Sequence, residues 1–386
     1  MEFDLSWLLL GVPIVFALGW LASRLDLRQL RIENRQAPKA YFKGLNYLLN
    51  EQQDQAIDAF IEAVQRDPDT TELHFALGNL FRRRGEYERA VRVHEHLLSR
   101  ADLPLSDRER AQHALALDFL KAGLLDRAEE ALRKLDGTRY QDQAWLTLLS
   151  LYERGRDWPQ ATEVARQLAQ HQQGDFTHRL AHYLCEQATV AQAKQKDPQR
   201  AQALLRDAIK QAPDAARPRI QLAGSMAAQG DDAGAFSQLL DLETHAPQAL
   251  PLVASELVRI GSAIGELERA RAALRRRYAI DPSVDIADAL VQADVASGIA
   301  LKEAREGYVV HMAQEPSLIA ASRWLSQENF AHDGAHEAVQ RSVDAAARPL
   351  ARYRCAACGF EAQGYFWQCP GCQAWDSFPP RRIEEL

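Results

Sequence analysis

Residue types recur along this chain at a spacing of 34. Gly44 is matched by Gly78, Tyr47 by Phe81, Ala56 by Ala90, and bulky Phe60 by His94. A period of that length belongs to a repeated pair of antiparallel helices, each pair unable to bury its apolar face alone and so stacked on its neighbours. The spacing predicts Gly44 and Ala56 where the two helices of one pair cross closely, with Tyr47 and Phe60 filling the space beside them. Asp67-Pro68 is expected to stop the second helix, because the residue before proline is pushed out of the α region.

These are the marks of the tetratricopeptide (TPR) repeat. The spacing then loosens. Gly85 and Gly123 are 38 apart, Gly123 and Gly155 only 32, and these three with Gly230 are expected to close first helices in left-handed caps. Ala128 and Ala161 take the small position of the second helices. Residues 176–193 read as one long helix, with a turn at 195–198. The strict period then returns: Ala201 and Ala235, Leu205 and Leu239, Pro213 and Pro247, Ala270 and Ala304, Pro282 and Pro316 are all 34 apart. Eight helical pairs up to Pro316 and a ninth, degenerate pair across 318–347 predict an all-α superhelical solenoid over residues 37–348. The concave face of such a stack suits an extended peptide or a partner helix. A chain that is 47% hydrophobic and 26% charged can fill such a core, and its net charge of −7 argues against general nucleic-acid binding.

Residues 5–23 contain no charge, and as a helix these 19 residues would span roughly 28 Å, close to the thickness of a bilayer's hydrocarbon. Trp7 and Trp20 fall near the two ends, where amphipathic rings favour the interface, and Pro13 is tolerated in a membrane span. Glu2, Asp4 and the lack of an Ala-x-Ala site argue against a cleaved signal peptide. Arg24, Arg28, Arg31, Arg35, Lys39 and Lys43 outnumber Asp26 and Glu33, which places the following chain in the cytoplasm. Residues 1–23 are therefore expected to form a transmembrane anchor and 24–36 a basic juxtamembrane segment.

Four of the five cysteines fall in the last 32 residues, as Cys355-x-x-Cys358-Gly359 and Cys369-Pro370-x-Cys372. Two such knuckles present four thiolates to one ion, zinc or iron, and Gly359 permits the positive-φ turn in which N–H groups point at sulfur. Residues 353–378 also hold seven of the chain's 30 aromatics. Arg348-Pro349 is expected to break the preceding helix, leaving 349–386 as a small metal-bound module, with Trp367 and Trp375 as candidates to dock on the array. The knuckles resemble rubredoxin, whose insertion between knuckles is much longer than the ten residues here. A structural metal is the preferred reading, with a redox iron centre as the alternative.

Elsewhere the residues argue against catalysis. His178, His182 and Cys185 share one helical face, but no carboxylate or second cluster is placed by sequence to complete a metal site, and they are read as packing. His94-Glu95 is not the start of His-Glu-x-x-His, since Leu98 stands four residues after His94. The chain has neither a Gly-x-Ser-x-Gly elbow nor a phosphate-cradling loop. It is expected not to be an enzyme.

The span 5–23, the repeat positions Gly44, Tyr47, Ala56 and Phe60, the segment His182-Tyr-Leu-Cys185-Glu186, and the two knuckles with Tyr353, Phe360, Trp367 and Trp375 together resemble the lipopolysaccharide assembly protein B family, over the whole chain. The resemblance implies an inner-membrane adaptor in a Gram-negative bacterium. Such an adaptor promotes degradation of the lipid A deacetylase LpxC by the membrane protease FtsH, and gathers lipopolysaccharide assembly proteins. It also implies Cys355, Cys358, Cys369 and Cys372 as the metal ligands. A rubredoxin-like electron carrier and a general envelope scaffold are the alternatives.

Overall fold

The computed structural model describes residues 16–20, 42–66, 70–327 and 335–386. Of the expected membrane anchor only 16–20 are included, and they are helical and exposed; the rest of 5–23, the segment 24–36 and Asp67-Pro68 lie outside the described residues. Among the described residues no helix is long and apolar enough to cross a membrane. The chain divides into two compact units, residues 1–155 and 156–386.

The first unit contains helix α1 (42–49), α2 (Gln53–Arg66), α3 (Thr71–Arg84), α4 (Tyr87–Ser99), α5 (Leu105–Lys121), α6 (Leu125–Arg133) and α7 (Gln141–Gly155). The 34-residue match is a physical one. A methyl group on Gly44 would come within 2.9 Å of the Phe60 ring, and one on Gly78 within 2.6 Å of the His94 ring. Each glycine therefore lets the facing ring lie against backbone, and Ala56, Ala90 and Ala128 are wholly buried at the equivalent small positions. His94 fills Phe60's place at the cost of burying a polar ring. Asp118 answers it: Oδ2 lies 2.5 Å from His94 Nδ1, while Oδ1 accepts from Arg82 at 2.8 Å. Burial of the imidazole and carboxylate is tolerable because each has a partner.

Gly85 (φ +86°) and Gly123 (φ +76°) close first helices in the left-handed region, as expected, and so does Gly230 (φ +84°). Gly155 does not. It is the last residue of α7, and Arg156 takes the left-handed position at φ +56°. The cap lies two residues before each second helix, and Asp157, with Pro159 behind it, fixes where the next helix begins. The correct spacing from Gly123 is therefore 33, one residue more than the glycines suggested.

The second unit holds α8 (Trp158–Gln170), α9 (Thr177–Ala193), α10 (Pro198–Gln211), α11 (Ala216–Ala227), α12 (Asp232–Leu240), α13 (Leu242–His245), a 3₁₀ turn (Pro247–Val253), α14 (Ala254–Ala263), α15 (Leu267–Ile280), α16 (Val284–Ala296), α17 (Leu301–Ala304), α18 (Glu306–Gln314), α19 (Leu318–Ser326) and α20 (His336–Leu350). The periodic positions are its core: Ala201, Ala235 and Ala270 are fully buried, and Leu205, Leu239 and Leu274 nearly so. Asp157, Asp197 and Asp231 each cap a second helix by accepting from the backbone N–H three residues on. The last helix runs through Pro349 to Leu350 instead of breaking at 348. Proline there removes one N–H from the final turn, and the N–H of Ala351 still bonds the carbonyl of Ala347.

Candidate metal centre

Beyond α20 the chain turns into a ribbon. Strands β1 (Tyr353–Arg354) and β2 (Glu361–Ala362) pair antiparallel, and Gln368 bridges Trp375 in a second turn. Each of the two turns carries one knuckle. In the first, Gly359 at φ +77° donates its N–H to the Cys355 carbonyl at 2.9 Å. The second copies it with Gln373 at φ +62°, whose N–H donates to the Cys369 carbonyl at 2.9 Å. The glycine was legible from sequence; its glutamine counterpart was not.

The two knuckles bring all four sulfurs within 4.8 Å of one another. Cys355 Sγ lies 3.8 Å from Cys372 Sγ, and Cys358 Sγ lies 3.7 Å from Cys369 Sγ. These are the edges of a tetrahedron with metal–sulfur bonds near 2.3 Å, which come to about 3.8 Å, and far exceed a disulfide's ~2.05 Å. As thiols the cluster is electrostatically uneven. The Ser377 hydroxyl, 3.3 Å from Cys355 Sγ, holds that thiol down to about 6, helped by backbone N–H groups of Cys358 and Ala357. At Cys358 the N–H of Phe360 pulls the same way, but desolvation and the neighbouring thiols push it up to about 12. Four thiolates at this spacing repel one another, and one divalent cation removes the repulsion, so the site is able to bind one metal ion.

The ribbon's own buried side chains are few: Tyr353, Cys355, Cys369 and Phe378, with Leu252 of the 3₁₀ turn packed against them. It finds the rest of its burial on the helices. Trp375 stacks on His182 of α9, with centroids 4.7 Å apart and planes at 18°, and meets Trp158 and Tyr183 edge-on. Trp367 packs against the core of α11–α16. Both expected tryptophans therefore dock. Asp376 Oδ2 lies 2.8 Å from His182 Nε2 and 4.0 Å from His178 Nδ1. The carboxylate that the sequence did not place beside these histidines comes from the ribbon. Cys185, on the same face, is packing as expected: it is fully buried, and burial raises its thiol to about 12.

A second attachment follows the ribbon. Arg382 donates to both oxygens of Asp285 at 2.8 and 3.2 Å and stands over the Tyr353 ring. Glu385 Oε1 accepts from the N–H of Val284 at 2.7 Å, at the start of α16. Glu384 Oε2 accepts from the N–H groups of Leu318 and Ile319 at 2.8 and 3.2 Å, at the start of α19. Two consecutive carboxylates thus cap two first helices whose terminal N–H groups need acceptors, and their charge suits the helix dipole.

A family model described as a rubredoxin metal binding domain matches residues 353–380. Among curated relatives, lipopolysaccharide assembly protein B of Escherichia coli (strain K12) is 32% identical over 387 residues, covering 98% of each chain. The protein of the same name from Haemophilus influenzae (strain ATCC 51907 / DSM 11121 / KW20 / Rd) is 26% identical over 395 residues, again 98% of each. Among solved structures, a tetratricopeptide repeat protein from Parabacteroides merdae aligns with 67% of this chain and 99% of its own at 15% identity and a TM-score of 0.34. TPR-type helix pairs bearing a rubredoxin-like four-cysteine ribbon define the class of protein. Within that class, this chain belongs to the lipopolysaccharide assembly protein B family.

Proposed function

We propose that this chain is a non-enzymatic adaptor in lipopolysaccharide assembly, anchored in the inner membrane by residues 1–23 and facing the cytoplasm. Relationship to lipopolysaccharide assembly protein B along 98% of both chains is the observation that carries this reading. The apolar stretch 5–23 and its basic flank 24–36 support the anchor. Residues 37–348 would be the partner-binding array and 349–386 a structural module in which Cys355, Cys358, Cys369 and Cys372 hold one zinc or iron ion.

The partners are taken to be the protease FtsH and its substrate LpxC. An anchored array would act through effective concentration, holding a soluble substrate beside a membrane protease without new chemistry. Deleting residues 1–23 tests this. The deacetylase should persist far longer in cells with the truncated protein at native abundance, and a reporter fused after Leu386 should be active only in the cytoplasm. An unchanged half-life, or periplasmic reporter activity, would overturn the reading. The rubredoxin-type knuckles favour one rival, an electron carrier; full function in a zinc-only protein would exclude it.

A further inference from the structure

Between the ribbon and the helices of the second unit lies a cleft of about 290 Å³. Its charged lining is His178, His182, Asp214, Arg217 and Asp376, and Tyr365, Trp367 and Phe378 give it aromatic surface. The balance of charge decides what fits. Arg217 is only 5% exposed, and Glu186 neutralises it at 2.6 Å. Its Nη1 donates toward His182 Nδ1 at 3.5 Å, while His182 Nε2 meets the Asp376 carboxylate. With a donor facing Nδ1 and an acceptor facing Nε2, this geometry suits the tautomer that donates from Nε2 to Asp376. His178 is 44% exposed and lies 3.1 Å from Asp214.

Asp214 and Asp376, 68% and 43% exposed, line the cleft with only histidines beside them, and neither is paired with a lysine or arginine among the described residues. An anionic ligand would meet both carboxylates. A cation would gain both, together with aromatic rings that attract positive charge. Pro379, Pro380, Ala216 and Ala249 extend the lining with apolar surface on which neighbouring uncharged residues of a chain can lie.

We propose that this cleft receives an arginine or lysine side chain, flanked by apolar residues, from a partner protein. The proposal rests on the adaptor reading only in taking the ligand to be a protein segment. The test uses the full chain in detergent micelles and fluorescein-labelled ten-residue peptides, each with a central arginine between varied apolar residues. Matched peptides carry citrulline, the uncharged isostere, or glutamate. Fluorescence polarisation should show binding by arginine peptides, about tenfold weaker binding by the citrulline forms, and none by the glutamate forms. Asp376→Asn should weaken the arginine peptide about tenfold and the more exposed Asp214→Asn about threefold, the latter with an unchanged melting temperature. Equal affinity for arginine and citrulline, indifference to both substitutions, or no arginine peptide binding below about 1 mM would overturn the proposal. Neither the protease nor the deacetylase takes part in this measurement. Its failure is therefore distinct from that of the adaptor reading, which shows as an unchanged deacetylase half-life.

Discussion

In the helical repeats, burial is spread over many equivalent places: Ala56, Ala90, Ala128, Ala201, Ala235 and Ala270 each seal one helix crossing. In the ribbon, two of the four buried side chains are cysteines, and the remainder of the cover is lent by helices of the second unit. Stability in the repeats is a sum of local terms, so one damaged crossing weakens its neighbourhood first. The ribbon concentrates its stability in one four-sulfur cluster and one docking face, too small a core to stand without them.

Breaking the cluster should have the largest effect. Cys358→Ser takes away one of four thiolates and should release most of the bound metal, measured by elemental analysis. Far-UV helicity should stay nearly constant while the tryptophan emission shifts, because Trp375 leaves its place between His182, Trp158 and Tyr183. Loss of helix in step with loss of metal would erase the contrast between the two regions. Overpacking a crossing ranks next. Ala56→Leu and Ala235→Leu, both at fully buried positions, should each cost about 1–3 kcal/mol and lower the melting temperature with metal content unchanged. Unaltered melting in both would mean that the small residues are not what sets the crossings. The smallest effect sharpens the boundary between repeats and tail. Glu385→Ala should cost about 1 kcal/mol, seen as faster hydrogen exchange at the amide of Val284 and no change at the small crossings.

What could be read from the sequence was whatever repeats at short or fixed spacing. The Gly44–Phe60 contact reappears as Gly78–His94 because the same geometry recurs every 34 residues, and the Cys-x-x-Cys units declare their turns within five positions. The partner of His94 did not show, since Asp118 stands in the next helix pair and answers a polar substitution, not a repeat position. The docking seam was out of reach for the same reason. His182 and Asp376 are 194 residues apart, and no periodicity links a repeat helix to a ribbon turn. The surplus of aromatics in the ribbon signalled that a docking face was needed, and Trp375 met it. The left-handed residues Arg156 and Gln373 were missed because glycine is the usual sign of that conformation and neither is glycine.

The carboxylates of Glu384 and Glu385 have a consequence in time. The amide of Val284 is translated 101 residues before the oxygen it donates to, and that of Leu318 66 residues before its own acceptor. At roughly 5–20 residues per second, α16 waits about 5–20 s on the ribosome with its first turn open to water. A nascent chain thus carries loosened ends on α16 and α19 until Glu384 and Glu385 have been made. The making of these two glutamates is thereby a structural event felt at α16 and α19.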